Sequence, residues 1–200
     1  VSLVRIACHI NEFEDCLPAA IWLKDQGYKV GFNLMQINNA DEGKIAELLK
    51  LANTHPIDVL YFADSIGSLN TQQITTIVNT FKNNWCGAIG IHAHDSMGNA
   101  VNNSMQAVND GVSWVDCTVT GMGRGPGNAQ TEYLSIELDS YRKLNTSKTK
   151  LLKLIRNHFK PLKEQYDWGI NPYYYLAGKH NIHPTYIQKM ITDTRYNEED

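Results

Sequence analysis

The chain has 200 residues, of which 42% are apolar and 20% are charged, and its formal net charge is -3. This length and composition are typical of an ordinary globular domain that can bury a sizeable core. The slightly acidic balance argues against nucleic acid as a partner, and the longest apolar runs fall far short of the ~20 residues of a membrane helix. The N-terminus also lacks the basic and then apolar layout of a signal peptide, so we expect a cytoplasmic protein that binds neither nucleic acid nor membranes.

Five apolar stretches rich in β-branched and aromatic residues follow one another at a regular period. The segments between them carry apolar residues at helical spacing, as in Ile45, Leu48, Leu49 and Ala52. Strand and helix repeats of this kind, with strands that are apolar on both faces, predict a parallel sheet covered by helices. The predicted strands cover residues 4–10, 30–37, 59–63, 89–94 and 114–119, with centres 26, 29, 30 and 25 residues apart.

Serial units of this kind either close into an eight-stranded barrel or form an open doubly wound sheet. The sequence contains five such units and begins nearly inside its first strand, at Val1. We therefore expect an α/β fold of the (β/α)8 TIM-barrel type, with the last five βα units in residues 1–144. The three preceding units of the longer protein that we hypothesise would add roughly 80 to 90 residues.

Residues 145–200 depart from this repeat and predict a helical, tyrosine-rich C-terminal extension. A partial barrel would leave two parallel sheet edges exposed, and such edges tend to associate. We therefore expect a homo-oligomer.

The four cysteines, at positions 8, 16, 86 and 117, are far apart and form no Cys-x-x-Cys pair. This pattern predicts reduced, mostly buried thiols. Cys117 stands near a strand end, but no cation beside it in the sequence would activate its thiolate, so a small buried apolar role is favoured.

Each predicted strand ends in polar residues, and the carboxyl ends of the strands are where a parallel barrel carries its chemistry. These residues are His9, Asn33 with Gln36, Asp64 with Ser65, His92 with His94, and Asp116 with Thr118.

His92 and His94 form the strongest chemical motif, within the segment Gly-Ile-His-Ala-His-Asp. Side chains two apart on a strand share a face, so the two imidazoles would point the same way and could hold one divalent cation. A purely structural role is less favoured, because two protonated rings would repel and two neutral rings would bury little apolar surface. The pair predicts half or more of a metal site.

Three other strand-end residues are candidates for the walls of a pocket. Asp64 is a candidate ligand, base or substrate anchor, with the capping of the turn at Gly67 as the alternative. Asn33 could donate to a substrate oxygen or satisfy a neighbouring backbone group. His9 stands alone on its strand, so contact with the substrate is favoured over metal ligation.

Residues 121–128 read Gly-Met-Gly-Arg-Gly-Pro-Gly-Asn and place glycine at every second position. Such a loop lets backbone N–H groups approach a carboxylate or phosphate closely, so Gly123 and Gly125 are candidates for substrate binding. The alternative is a tight strand-to-helix turn in which Asn128 caps a helix over 129–138, and the two roles are compatible.

Three segments together resemble the metal-dependent aldolase and acyl-CoA lyase superfamily, which is built on a (β/α)8 barrel. They are residues 63–67, 90–95 and 116–128, and the resemblance runs in order over roughly residues 3–140. Members of this superfamily include 4-hydroxy-2-oxovalerate aldolase, 3-hydroxy-3-methylglutaryl-CoA lyase, and the isopropylmalate and homocitrate synthases.

The resemblance implies a divalent cation, Mn²⁺, Mg²⁺ or Zn²⁺, bound by His92 and His94 with Asn128 at or near the metal. It also implies that Asp64 lines the reaction pocket, where we assign it as the candidate catalytic residue. The superfamily's third ligand, an Asp, and its catalytic Arg belong to a first barrel strand that would precede Val1. We therefore expect the 200-residue piece alone to be inactive.

The reaction implied by the resemblance is the cleavage or formation of a carbon-carbon bond beside the carbonyl of a 2-oxo acid, as in 4-hydroxy-2-oxovalerate aldolase. The substrates would be a small 2-oxo acid of the pyruvate type and an aldehyde. Lyase members carry a cysteine in the glycine loop, whereas this loop contains Arg124 and Pro126, which favours the aldolase or synthase reactions.

Two alternatives remain open: an acyl-CoA-dependent 2-oxo acid synthase of the isopropylmalate or homocitrate type, and a catalytically incomplete barrel fragment with a binding or regulatory role. A third activity on the same fold, biotin-dependent carboxyl transfer, predicts a carboxylated lysine at a strand end. None of the predicted strands offers one.

Overall fold

The strands form one parallel sheet in a computed structural model that describes residues 1–142 and 147–195. The order β1-β2-β3-β4-β5 follows the sequence without reversing, as in a (β/α)8 barrel, whereas a doubly wound sheet reverses at a switch point. The expected barrel-type fold with five βα units is thus confirmed. The strands are β1 Leu3–His9, β2 Lys29–Met35, β3 Val59–Asp64, β4 Ala88–Ala93 and β5 Trp114–Val115.

A helix follows each strand, and further helices make up the C-terminal part of the chain. In the described residues no helix is both long and apolar enough to cross a membrane. The helices are α1 Phe13–Asp25, α2 Glu42–Ala52, α3 Thr71–Asn84, α4 Ala100–Asn109, α5 Thr131–Arg142, α6 Lys148–Leu154, α7 Lys160–Tyr166, α8 Pro172–Lys179 and α9 Pro184–Thr192, with a π-helical segment, Ile155–Phe159, between α6 and α7.

The helices between the strands bury the apolar faces that the sequence predicts. In α2, the residues Ile45, Leu48, Leu49 and Ala52 are all buried, and the Asp41 side chain caps the helix by accepting from the Lys44 amide. This cap satisfies one of the donors that a helix N-terminus leaves unpaired.

Aromatic rings fill the space between the helices and the sheet. Phe13 of α1 packs edge-on against Phe32 of β2, with ring centroids 4.9 Å apart, and Phe62 of β3 lies 5.5 Å from Phe81 of α3. All four rings are fully buried. Each full burial of such a side chain contributes about 1.5–3 kcal/mol.

The chain divides into two compact units. The first comprises Val1–Ser65, Leu69–His92 and Asn102–Asp116, and therefore holds the sheet. The second comprises Ile66–Ser68, Ala93–Val101 and Cys117–Asp200, so that the glycine loop belongs to the same unit as the C-terminal helices. The expected division at residues 144 and 145 lies outside the described residues and stays a prediction.

The fifth strand is shorter than the sequence predicts. β5 ends at Val115, and the chain after it leaves the ladder, because the Thr118 amide donates to the Ala129 carbonyl at 3.0 Å. Thr118 also forms an isolated parallel bridge with Gln130. The polar end of this segment pairs with the chain returning from the glycine loop instead of with β4.

The prediction of mostly buried thiols is wrong for two of the four cysteines. Cys8 is buried and Cys16 half-buried, but Cys86 and Cys117 are exposed, and all four are free. Cys117 is exposed because it lies just beyond the short fifth strand. Burial, with Cys16 beside it, raises the pKa of Cys8 to about 12, so this thiol stays protonated at neutral pH.

Candidate metal centre

His92 lies near the end of β4, and its ring is held by a carboxylate. The Nδ1 atom is 2.8 Å from Oδ2 of Asp116, which follows β5. The Asp116 amide donates to the Ile91 carbonyl at 3.0 Å, and this bond places the carboxylate beside β4. Since an ionised carboxylate can only accept, Nδ1 carries a proton, and in the neutral ring Nε2 then carries the lone pair that a metal needs.

Asp116 has a second cationic partner on the first strand. Nη1 of Arg5 lies 2.5 Å from the same Oδ2 atom, and the Arg5 guanidinium sits 4.4 Å from the centre of the Tyr61 ring. Burial alone would raise the pKa of Asp116, but the hydrogen bond from His92 and the charge of Arg5 outweigh it and hold that pKa below its usual value. Asp116 is therefore an ionised acceptor at neutral pH.

His94 lies beyond the end of β4 and pairs with the glycine loop. It forms an isolated antiparallel bridge with Asn128, and its Nδ1 atom is 3.3 Å from the Gly127 carbonyl oxygen. A carbonyl is also an acceptor, so this contact favours the tautomer in which Nε2 bears the lone pair. In both histidines the contact at Nδ1 favours the neutral tautomer that is suited to metal ligation through Nε2.

The Asn128 side chain presents an oxygen that lacks a hydrogen bond. Its Nδ2 atom donates to the Met122 carbonyl at 3.1 Å, whereas the buried Oδ1 atom has no hydrogen-bond partner. A buried amide oxygen of this kind is costly unless a ligand pairs with it, so its chemistry fits a hard divalent cation. The alternative role as a helix cap is not observed, because α5 begins three residues later, at Thr131.

The two candidate glycines of the loop make room for other side chains. A Cβ at Gly123 would overlap the Asn128 amide nitrogen, and a Cβ at Gly125 would lie 3.2 Å from the Tyr174 ring. Gly125 also has a φ of +59°, which a larger residue adopts only with strain. Their contact with a substrate remains a prediction.

The C-terminal helices hold the start of the glycine loop in a strained conformation. Thr120 has a φ of 55°, which is unusual for a β-branched residue. Its amide donates to the Glu132 carboxylate at 2.9 Å, and its carbonyl accepts from the Trp168 indole at 3.1 Å. The extension therefore contributes directly to the geometry of this loop.

Asp64 is fully buried, and its Oδ2 atom accepts a hydrogen bond from the Leu69 amide at 3.0 Å. The turn-capping contact that the sequence offered as the alternative is therefore present. A role in catalysis remains a prediction.

Asn33 and His9 occupy different surroundings on neighbouring strands. Asn33 lies between Ala7 and Tyr61 in the sheet register, and its buried Oδ1 atom has no hydrogen-bond partner. His9 lines a cavity of about 410 Å³ with Gln36 and Lys44. Substrate contacts for both residues remain predictions.

Imidazoles and carboxylates alone do not complete a metal site here. Among the residues that the structure describes, no group of three or more His, Cys, Asp or Glu side chains could hold a metal ion. Metal binding by His92, His94 and Asn128 therefore remains a prediction.

The family assignment follows from a comparison with known proteins. The HMGL-like family model matches residues 4–158, well over half of the chain. The chain belongs to the HMGL-like family. This match confirms the resemblance that the histidine pair and the glycine loop indicate.

A curated relative of this HMGL-like chain is the 4-hydroxy-2-oxovalerate aldolase of Pelotomaculum thermopropionicum. The two are 35% identical over 134 residues, which cover 67% of this chain and 40% of that aldolase. The chain thus spans about two fifths of the length of the curated relatives it matches.

Solved structures share the fold of this HMGL-like chain. The N-terminal domain of a candidate aldolase from Bacteroides vulgatus has a TM-score of 0.88 and 30% identity, covering 98% of this chain and 65% of that one. The HMG-CoA lyase of Bacillus subtilis has a TM-score of 0.71 at 18% identity, covering 90% of this chain and 68% of that one, and shows the fold alone.

Sequence reasoning assigned no role to Arg5, Trp168 or Tyr174. A charged residue inside the apolar stretch Leu-Val-Arg-Ile-Ala-Cys was a signal for Arg5, since a cation there needs a partner. Trp168 and Tyr174 gave no such signal, because their contacts with the glycine loop cross more than forty residues of sequence.

Proposed function

We propose that this HMGL-like chain forms part of a divalent-metal-dependent aldolase that cleaves or forms a carbon-carbon bond beside the carbonyl of a 2-oxo acid. The observation that supports the proposal is the placement of the two imidazoles: His92 and His94 lie two residues apart at the end of β4, and each has its Nδ1 atom near an acceptor oxygen. The names of the curated relatives support the aldolase reaction.

His92, His94 and Asn128 would hold the cation in this proposal. When bound, a divalent cation acts as a Lewis acid that stabilises the negative charge developing on an enolate of the pyruvate type. Mn²⁺ or Mg²⁺ suits the amide oxygen of Asn128, and the imidazoles also suit Zn²⁺.

The chain's own residues prepare this site. Asp116 and the Gly127 carbonyl hold the two imidazole tautomers, and Met122 orients the Asn128 amide. Asp64 is the candidate base for the hydroxyl proton of the substrate, and Asn33 the candidate donor to a substrate oxygen. The substrates would be a small 2-oxo acid and an aldehyde, handled by a cytoplasmic homo-oligomer.

Metal titration of the 200-residue chain tests the site. Changes to residues that hydrogen-bond to metal ligands typically weaken metal binding ~10–100-fold. We expect His92→Ala and His94→Ala, which remove proposed ligands, each to weaken Mn²⁺ binding by more than this. His180→Ala is the matched control, because this exposed histidine directly follows α8 and its loss should leave binding unchanged. Equal affinity in all four proteins would rule out the histidine pair as ligands.

Pyruvate release from a 4-hydroxy-2-oxo acid by the full-length protein tests the reaction. Activity that requires added Mn²⁺ or Mg²⁺ and disappears in His92→Ala is the expected result. Activity that survives His92→Ala would contradict the proposal. A full-length protein that forms product only with an acyl-CoA would favour the synthase alternative.

A further inference from the structure

We propose that Asp116 and Arg5 are positioning residues that fix the tautomer and orientation of the His92 ring and thereby set its strength as a metal ligand. This inference rests on the proposed metal centre. It assigns to these two side chains a role that acts through the His92 ring.

The contact between Asp116 and His92 is the first step. The Nδ1 to Oδ2 distance of 2.8 Å is that of a charge-assisted hydrogen bond, which is about twice as strong as a neutral one. A carboxylate in this position fixes which ring nitrogen holds the proton and raises the basicity of the other nitrogen. The tautomer and the orientation of the His92 ring are therefore set without a bound cation.

The contact between Arg5 and Asp116 is the second step. Arg5 lies on β1 and Asp116 just after β5, so this ion pair joins residues from the first and last strands of the described sheet. Because Arg5 and His92 both approach Oδ2, the carboxylate is held from two directions. A carboxylate with two donors keeps one orientation, and so does the imidazole bound to it.

The Arg5 guanidinium makes a cation–π contact with the Tyr61 ring. The Arg5 guanidinium lies 4.4 Å from the centre of this ring, and the ring meets Trp114 edge-on at 6.4 Å. The absence of a side chain at Gly90 makes this possible, since a Cβ there would overlap the Tyr61 ring. The aromatic rings of Trp114 and Tyr61 thus hold the Arg5 guanidinium in place. Arg5 in turn orients the Asp116 carboxylate.

The two histidines differ in the partner of their Nδ1 atoms. The Nδ1 atom of His94 lies 3.3 Å from a backbone carbonyl oxygen, whereas that of His92 lies 2.8 Å from a carboxylate oxygen. The inference therefore predicts that loss of Asp116 changes the His92 ring and leaves the His94 ring unchanged. This internal contrast separates a local effect from a general loss of structure.

The first test measures tautomers in the metal-free chain by nitrogen NMR of labelled histidine. In the wild type we expect His92 to be protonated at Nδ1, and in Asp116→Asn and Asp116→Ala we expect a shift toward the form protonated at Nε2. The His94 signals serve as the internal reference. An unchanged His92 tautomer in both variants would overturn the proposal.

The second test measures the affinity of the same proteins for Mn²⁺. We expect Asp116→Ala to weaken binding about 10–100-fold and Asp116→Asn to weaken it less. Arg5→Met keeps the stem over Tyr61 but loses the charge, and its effect should have the same direction and a smaller size. Asp58→Asn is the matched control, since it removes a carboxylate that is paired with Lys24 and the Val30 amide instead of with His92.

The two tests distinguish the positioning role from the metal centre. A wild-type chain that binds no Mn²⁺ while the tautomer of His92 still responds to Asp116 would overturn the proposed function and support the role of Asp116 in fixing the ring. Wild-type binding that Asp116→Ala leaves intact would overturn the positioning role and keep the metal centre.

Discussion

Asp64 is a buried carboxylate that caps the turn after β3, and its role in catalysis is a proposal. Its side chain is inaccessible to solvent, and Oδ2 accepts from the Leu69 amide. The Leu69 carbonyl in turn accepts from the buried Asn103 side chain at 2.8 Å. The turn after β3 is thus held by side chains at both groups of the Leu69 backbone.

Substitutions at Asp64 separate the two roles. Asp64→Ala leaves the Leu69 amide without its acceptor, so we expect the free energy of unfolding to fall by about 1–3 kcal/mol. Asp64→Asn keeps an acceptor oxygen and should retain most of that stability, while losing kcat if the carboxylate is the base. Denaturant unfolding and initial rates of pyruvate release measure the two effects. Full activity in Asp64→Asn would exclude a role as base.

The residue types of the candidate centre could be predicted from the sequence, but their partners could not. The spacing of His92 and His94 indicates metal chemistry by itself. The ion pair of Asp116 with Arg5 spans more than one hundred residues, so only the fold brings it together. The unpaired Oδ1 atom of Asn128 is equally invisible to pattern reasoning, because it depends on the path of the glycine loop.

At the scale of the elements, the segment after α7 holds the glycine loop through Trp168, Gly169 and Tyr174, which we call the clamp. Trp168 is buried and donates to the Thr120 carbonyl, and the Gly169 amide donates to the Gly125 carbonyl at 2.9 Å. The Tyr174 ring of α8 lies next to Gly125, where an added Cβ would be 3.2 Å from it. Thr120 keeps its left-handed conformation because these contacts surround it.

Trp168→Phe tests this clamp. The ring remains but the indole N–H is lost, so we expect the free energy of unfolding to fall by about 0.5–1.5 kcal/mol. Hydrogen exchange of the amides in 121–128 should become faster. Trp22→Phe is the control, since Trp22 is 60% exposed on α1 and should change neither measurement. Unchanged exchange in Trp168→Phe would show that the loop keeps its shape without the clamp.

Element positions were predictable where burial alone decides them, and less so at strand ends. The apolar pattern of α2 and the period of the strands locate the buried parts of the sheet. The sequence overextends β4 and β5, because His94 and Thr118 pair with the glycine loop instead of with neighbouring strands. Hydrophobic periodicity does not show that a loop competes with the neighbouring strand for the backbone hydrogen bonds of these residues.

At the scale of the whole molecule, one ion pair links stability to pH. Asp58 accepts from the Lys24 ammonium at 2.7 and 2.8 Å and from the Val30 amide at 2.7 Å. Burial opposes its ionisation, but these bonds and the charges of Lys24 and Lys29 outweigh burial and hold the pKa of Asp58 below its usual value. The pair joins the end of α1 to the residue that precedes β3, and the bond from the Val30 amide adds the start of β2.

The sign of the pH effect follows from the lowered pKa. The stabilisation is fully present above the ordinary pKa of about 4 and is lost as the pH falls through the lower value of the folded state. Because both side chains are about one third exposed, we expect about 1 kcal/mol or less. Urea unfolding of wild type and Asp58→Asn should differ at pH 7 and converge as the pH falls through the lowered pKa of Asp58. A difference that is constant with pH would contradict this assignment.

The absence of a side chain at Gly90 constrains residues that are far from it in the sequence. Alanine at this position would push the Tyr61 ring out of the space over β4 and remove the platform under Arg5. The disturbance would then reach His92, two residues further along the same strand, by way of β3 and β1. In related sequences, a bulkier residue at 90 should therefore coincide with a smaller one at 61, and the basic residue at 5 should be lost with the aromatic ring.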